Sequence, residues 1–167
     1  MPGTLNEKIS SRLATLNMTD SWKPTGFPSE FYTLSGNTDI KLRTTVSEFG
    51  PILFSRLLEL NDTQASVMAL IFRYCDDAGL ALLDLDDVKK TLQYLSNEGR
   101  IEIESQYGAI SSSTVSVIMR KIIEIESQGA DIFFSEPSFD TLDFLRKDDE
   151  GKGIVNILRL MDMQAKP

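Results

Sequence analysis

Apolar residues recur along this chain at helical spacing, three or four positions apart, through most of its length, and alternate only in short runs toward the two ends. Leu5, Ile9, Leu13 and Leu16 form the first helical stripe, ending near Asn17, and Thr4 with Glu7 three residues on has the form of a capping box. The connector from Ser21 to Pro28 contains Pro24, Gly26 and Pro28, which deny it regular hydrogen bonding. Aromatic and β-branched residues then predict a strand over Glu30 to Leu34. The polar run Ser35 to Asp39 reads as a turn before a second extended piece, Ile40 to Thr44.

A helical block follows. Thr45 with Glu48 forms another capping box, and Val46, Phe49, Ile52, Leu53, Leu57 and Leu60 make one broad apolar face, with Gly50-Pro51 near the first turn, where a proline is tolerated. Asn61 and Gln64 are spaced to cap the next helix reciprocally. Val67, Met68, Leu70, Ile71, Phe72, Tyr74 and Cys75 surround most of that helix, the pattern of one at the centre of a bundle, and Gly79 suits its left-handed end. Asp84 is placed to cap a helix carrying Val88, Leu92 and Leu95 that stops before Gly99. Ile101 to Tyr107 is ambiguous by pattern. Ser111 to Thr114 offer caps for a longer helix with Val115, Ile118, Met119, Ile122 and Ile125, closed by Gly129. After Phe133-Phe134 and Pro137, a short helix through Leu142 and Leu145 leads to the turn Asp148 to Gly151 and a last strand, Gly153 to Leu158.

The pattern defines an α/β chain, mainly α, read as a single domain over residues 1–167. Within it, residues 1–44 hold the N-terminal helix and strands, 45–150 a helical subdomain and 151–160 a C-terminal strand. With 167 residues and 41% apolar composition the chain can bury one sizeable core. Its net charge of −8, from 17 basic and 25 acidic residues, opposes the phosphate neutralisation behind non-specific nucleic-acid affinity, so the chain alone is expected to bind DNA poorly. One cysteine and no histidine exclude an intrachain disulfide and the usual zinc sites, which fits a cytoplasmic compartment. No run approaches the ~20 apolar residues of a membrane span, and the N-terminus lacks the apolar core of a signal peptide.

Candidate chemistry is thin. Asp76, Asp77, Asp84, Asp86 and Asp87 suggest a cation site, but Lys89 stands where an EF-hand loop needs glycine and no glutamate closes the loop, so they read as helix ends and caps. Asp148-Asp149-Glu150 reads as a solvated turn. Cys75 lies among apolar residues with no base to activate it, and Ser111 to Ser113 have no histidine partner. Nothing places Glu102 and Glu104 in a cleft for acid and base work. Trp22, Phe31 and Tyr32 could stack on bases, although the acidic balance favours ordinary packing. No catalytic, cofactor-binding or metal-ligating residue is predicted.

The stretch from Arg43 to Gln64, R-T-T-V-S-E-F-G-P-I-L-F-S-R-L-L-E-L-N-D-T-Q, resembles the segment R-x-T-x-S-x-x-G-P-x-L-x-x-R-L-L-x-L-N-x-T-Q of bacterial HerA-like P-loop ATPases of the YjgR-type branch. The similarity continues through Leu80 to Asp87, Gln106-Tyr107-Gly108, Gln128-Gly129-Ala130, Phe133 to Pro137 and Gly151 to Leu158. It implies a helical insert bracketed by strands of a partial RecA-like parallel sheet, and it favours a short helix for Ile101 to Tyr107. That family's chemistry depends on a phosphate loop, G-x-x-x-x-G-K-[ST], and a downstream acidic strand end, neither of which the chain contains. Gly151-Lys152-Gly153 has no glycine five residues earlier and no Ser or Thr after the lysine, and reads as a turn feeding a strand.

By this resemblance the chain is an excised internal segment. Pro2 to Ile9 correspond to a region beyond the strand that follows the phosphate-loop helix, Met1 is an added start, and past Met161 the parent runs toward its Walker B strand. ATP and magnesium are expected for the parent, which would couple hydrolysis to movement on nucleic acid or to remodelling, and no cofactor for this chain. A parallel sheet needs both faces covered, so either an exposed apolar patch or self-association is expected, with the rest of the ATPase as the other partner. Arginines acting in trans on a neighbour's γ-phosphate are common in such rings. Of Arg43, Arg56, Arg73 and Arg120, Arg56 in the R-L-L segment is the candidate, against an ordinary surface ion pair. The alternative reading is a stand-alone helical protein-protein interaction module, which would expose no surplus apolar surface.

Overall fold

Most helices in this chain begin where a short polar side chain takes up a free backbone N–H, and that requirement sets most element boundaries. The computed structural model describes residues 4–34 and 39–159; Met1 to Gly3, all but Asp39 of the turn expected at Ser35 to Asp39, and the chain from Leu160 onward lie outside them. In order, the elements are α1 (Glu7–Thr15), β1 (Ser29–Thr33), β2 (Ile40–Lys41), α2 (Val46–Phe49), α3 (Pro51–Leu57), α4 (Asp62–Ala78), α5 (Leu85–Ser96), α6 (Arg100–Gln106), α7 (Ser112–Ser127), α8 (Ala130–Phe133), a 3-10 turn (Thr141–Leu145) and β3 (Val155–Arg159). The strands form a small sheet of order β2-β1-β3, with β1 and β2 parallel. The chain divides into two compact units, Met1–Phe31 with Asp140–Leu158 and Tyr32–Phe139 with Arg159–Pro167.

In the second of these, Tyr32 lies opposite Ile40 and Thr33 opposite Lys41. A further parallel bridge joins Thr44 to Phe134: the Thr44 N–H donates to the Phe133 carbonyl at 2.9 Å, and the Ser135 N–H to the Thr44 carbonyl at 3.1 Å. Thr45 caps α2 by accepting from the Glu48 N–H, but its own N–H donates to Ser138 Oγ at 3.1 Å, so Ser138 takes the reciprocal place expected of Glu48. The single helix expected from Val46 onward is two. Gly50 has φ +79° and ψ 160°, a region closed to side chains, and Pro51 has no N–H to continue α2, so α3 starts afresh with Pro51 at its first position.

The break changes which face is buried. Val46, Phe54, Ser55 and Leu58 turn inward, while Ile52, Leu53 and Leu57 remain 69%, 51% and 43% exposed. α4 has the full reciprocal cap, Asn61 Oδ1 accepting from the Gln64 N–H at 3.0 Å and Gln64 Oε1 from the Asn61 N–H at 3.2 Å. Gly79, at φ +66°, ends it, and the Leu80 N–H returns to the Cys75 carbonyl at 2.8 Å. α4 buries Val67, Met68, Ile71, Phe72 and Cys75 between α3 and α7. Full burial of each large apolar side chain stabilises by about 1.5–3 kcal/mol.

α5 presents Leu85, Val88, Leu92 and Leu95 to α7, which answers with Val115, Ile118 and Ile122. The ambiguous run before Tyr107 is the helix α6. Lys89 fastens α5 to α7, its Nζ lying 2.7 Å from Asp86 and 2.8 Å from Glu126. Phe134 closes the core, edge-on to Phe49 and Phe54 at ring separations of 5.3 and 5.4 Å.

The other unit is thinner. Asn6, not Thr4, caps α1: its Oδ1 accepts from the Ile9 N–H at 2.9 Å, because asparagine is the better cap and begins the helix two residues later. Asn17, at φ +53°, ends it, with the Met18 N–H returning to the Leu13 carbonyl at 2.9 Å. Of the expected stripe Leu13 is buried, whereas Leu5 and Leu16 are exposed. The short helix expected at Leu142 to Leu145 is the 3-10 turn, capped by Asp140. Lys147 bridges Gly153 across a tight turn, and the Val155 N–H donates to the Pro28 carbonyl at 2.8 Å. Val155, Ile157 and Leu158 remain 45%, 37% and 45% exposed, whereas Asn156 between them is half-buried and donates from Nδ2 to the Phe144 carbonyl at 2.8 Å.

Gly50→Ala tests the α2–α3 break. No atom lies within 4 Å of a Cβ built there, so any loss arises from the backbone alone. The substitution is expected to destabilise by about 1–3 kcal/mol in a urea titration; an unchanged midpoint would show that the positive φ is not required.

Candidate functional site

The break at Gly50 sets the surroundings of Arg56, the arginine selected from the sequence. Because α3 buries Phe54, Ser55 and Leu58, positions 52, 53, 56 and 57 share its outward side. Arg56 therefore projects from the last turn of α3 among exposed leucine and isoleucine side chains. With Pro51, Ile52, Ser55, Leu60 and Asp62 it lines a shallow groove of about 290 Å³ running onto the start of α4. Among the described residues no ion pair engages Arg56, and none engages Asp62.

The other arginines are placed differently. Arg43 donates from Nη1 to the Glu136 carbonyl at 2.9 Å, fixing the chain around Pro137. Arg73 pairs with Asp77 one turn along α4, Nε to Oδ2 at 2.9 Å, and Arg120 is exposed on α7. Tyr107, which sequence reasoning left out of the site, donates its hydroxyl to the same Asp77 oxygen at 2.8 Å. Arg73 at i,i+4 from Asp77 is legible in a sequence; a tyrosine 30 residues on is not. Arg73 and Tyr107 also line a groove of about 450 Å³ with Leu70, Gly108 and Ile110. The Tyr107 hydroxyl, and then Arg73, hold the Asp77 carboxyl below the usual range.

Asp84, Asp86, Asp87 and Asp148 are spent on local structure, whereas Asp76 and Asp149 are exposed. Asp84 Oδ1 accepts from the Asp87 N–H at 2.9 Å, and Asp87 Oδ2 from the Leu83 N–H at 3.0 Å. Lys89 pairs with Asp86 and lowers its carboxyl. Asp148 Oδ1 accepts from the Glu150 and Lys152 N–H groups at 3.0 and 2.8 Å, and Lys152 pairs with Glu150. Gly151-Lys152-Gly153 is thus an acid-braced turn, with its lysine turned to a carboxylate and its amides to the turn itself. Among the described residues no group of three or more Asp, Glu or Cys side chains is gathered to hold a metal ion.

Burial pushes the Cys75 thiol up, away from nucleophilic chemistry. Ser111 caps α7, accepting from the Thr114 N–H at 3.1 Å. Glu104 pairs with Arg100 along α6, and Glu102 is exposed beside it. Phe31 is exposed while its neighbour Tyr32 is buried, as alternation along a strand requires, so the two do not share a stacking surface.

The arrangement is a mainly helical chain with a small three-stranded sheet. The family model for helicase HerA-like C-terminal regions matches residues 1–167, and the chain belongs to that family. Comparison with curated proteins and with solved structures gives no match. No described helix is long and apolar enough to cross a membrane.

The Asp77 contact sets a pH dependence. A carboxyl lowered by folding contributes stability that is present above its unfolded value of about 3.9 and is lost as pH falls through the lower folded value. Tyr107→Phe is therefore expected to flatten the acid limb of a melting-temperature-against-pH curve below about pH 4. An acid limb identical to that of the parent chain would remove this contact from the account.

Proposed function

We propose that this chain is a non-catalytic internal segment of a cytoplasmic bacterial HerA-like P-loop ATPase of the YjgR-type branch, supplying scaffold and partner contacts to the nucleotide-binding machinery. The observation that carries the reading is the family match along all 167 residues of a chain with no phosphate-loop sequence. The apolar residues left exposed on strand β3, Val155 and Ile157 on one face and Leu158 on the other, support it, since a parallel strand is ordinarily covered on both sides. A self-contained interaction module would leave no such residues exposed.

In this reading ATP and magnesium bind elsewhere in the parent, and any nucleic-acid track lies on more basic parts of it. The acidic chain contributes the helical surface around α3. Arg56 is its candidate for reaching a nucleotide held by a neighbouring subunit, because its guanidinium is exposed and engaged by no described carboxylate.

Calorimetric titration of the chain with ATP and magnesium is expected to give no binding; a micromolar affinity would overturn the non-catalytic assignment. In the complete ATPase, Arg56→Ala is expected to lower kcat by about 10³-fold or more if the arginine acts in trans. Hydrolysis at the unaltered rate would dismiss that role.

A further inference from the structure

The outward side of α3 has the composition of a surface that fits itself. We infer that it docks a second copy of this chain about a two-fold axis, with Arg56 of each copy meeting Asp62 of the other. The inference concerns association without nucleotide and does not rest on the ATPase reading.

Three observations converge on a second copy. Ile52, Leu53 and Leu57 are 69%, 51% and 43% exposed on one side of a single short helix, a cluster of large aliphatic side chains that a partner would remove from water. The same groove carries one cation, Arg56, and one anion, Asp62, neither ion-paired to any described residue. They lie on successive helices, and no bridge within 4.0 Å joins them.

A two-fold axis places each residue of a patch against the patch of its mate, so a surface with one charge of each sign satisfies both twice over. A purely apolar or single-signed patch would not specify itself in this way. General charge attraction cannot bring the copies together, because each carries a net charge of −8; the local match has to do so. A seam built on three aliphatic side chains of one short helix is small beside the roughly 800 Å² per partner of a standard stable interface, so the dimer is expected to form and dissociate with concentration.

The experiment is sedimentation equilibrium on the intact chain over a wide concentration range, with charge-reversed variants. The apparent mass is expected to rise from 18.7 kDa toward twice that value. Arg56→Asp alone sets like charges against each other twice per dimer and should abolish association, as should Asp62→Arg. An equimolar mixture of those two variants restores both pairs and should dimerise as the parent chain does. Leu53→Asp, which lies outside the charge pair, serves as a second disruption if Asp62→Arg, in the first turn of α4, fails to fold. Circular dichroism melts establish that the variants compared are folded. The inference is overturned if the parent chain stays monomeric throughout, if folded charge-reversed variants associate as before through another surface, or if the mixture of folded variants stays monomeric.

Discussion

The burial of one side of α4 is the interaction on which the Tyr32–Phe139 unit depends. Met68 and Ile71 are fully enclosed, with Val67, Phe72 and Cys75 around them, and α3 and α7 pack on that helix from different directions. Each neighbour carries further layers: α7 holds α5 through Ile118, Ile122 and Leu92, and α3 places Phe54 beside Phe72 and Phe134. Phe134 in turn sits next to the bridge that fastens Thr44. A local choice of caps at Asn61 and Gly79 therefore sets the length of the helix that organises the whole core.

The same packing explains what is left for function. Once Gly50 restarts the helix, α3 can turn only Phe54, Ser55 and Leu58 toward α4, and Ile52, Leu53, Arg56 and Leu57 are delivered to the outside. The polar residues that first suggested chemistry are consumed by folding: Asp84, Asp87 and Ser111 satisfy helix N-termini, Asp148 braces a turn, and Cys75 fills core volume. What remains exposed is apolar surface with isolated charges, the raw material of docking.

Local chemistry was the legible part of the sequence. The pairing of Asn61 with Gln64, the glycine at position 79, the aspartate at 84 and the serine at 111 each act within four residues, and each lies where its spacing placed it. Choices between close competitors were not legible: Thr4 and Asn6 both make sound caps, and asparagine, the stronger of the two, starts the helix. Gly50-Pro51 was compatible with a proline early in one helix or at the start of a second, and the difference decides which aliphatic residues face water. Arrangements made by the fold were invisible, among them the contacts of Tyr107 with Asp77 and of Ser138 with Thr45, and the placement of Arg56 and Asp62 along one groove. The resemblance to HerA-like ATPases supplied the class of protein, which no spacing of carboxylates or serines could have given.

Native-state hydrogen exchange followed through low concentrations of urea tests the central role of α4 most directly. Amides from Met68 to Cys75 are expected to exchange only through global unfolding, with the full urea dependence of the whole transition, while those of α1 exchange through local opening. Exchange of the α4 amides at the rate of α1, or with little urea dependence, would contradict the account, because the helix would then open without the core it is said to hold together.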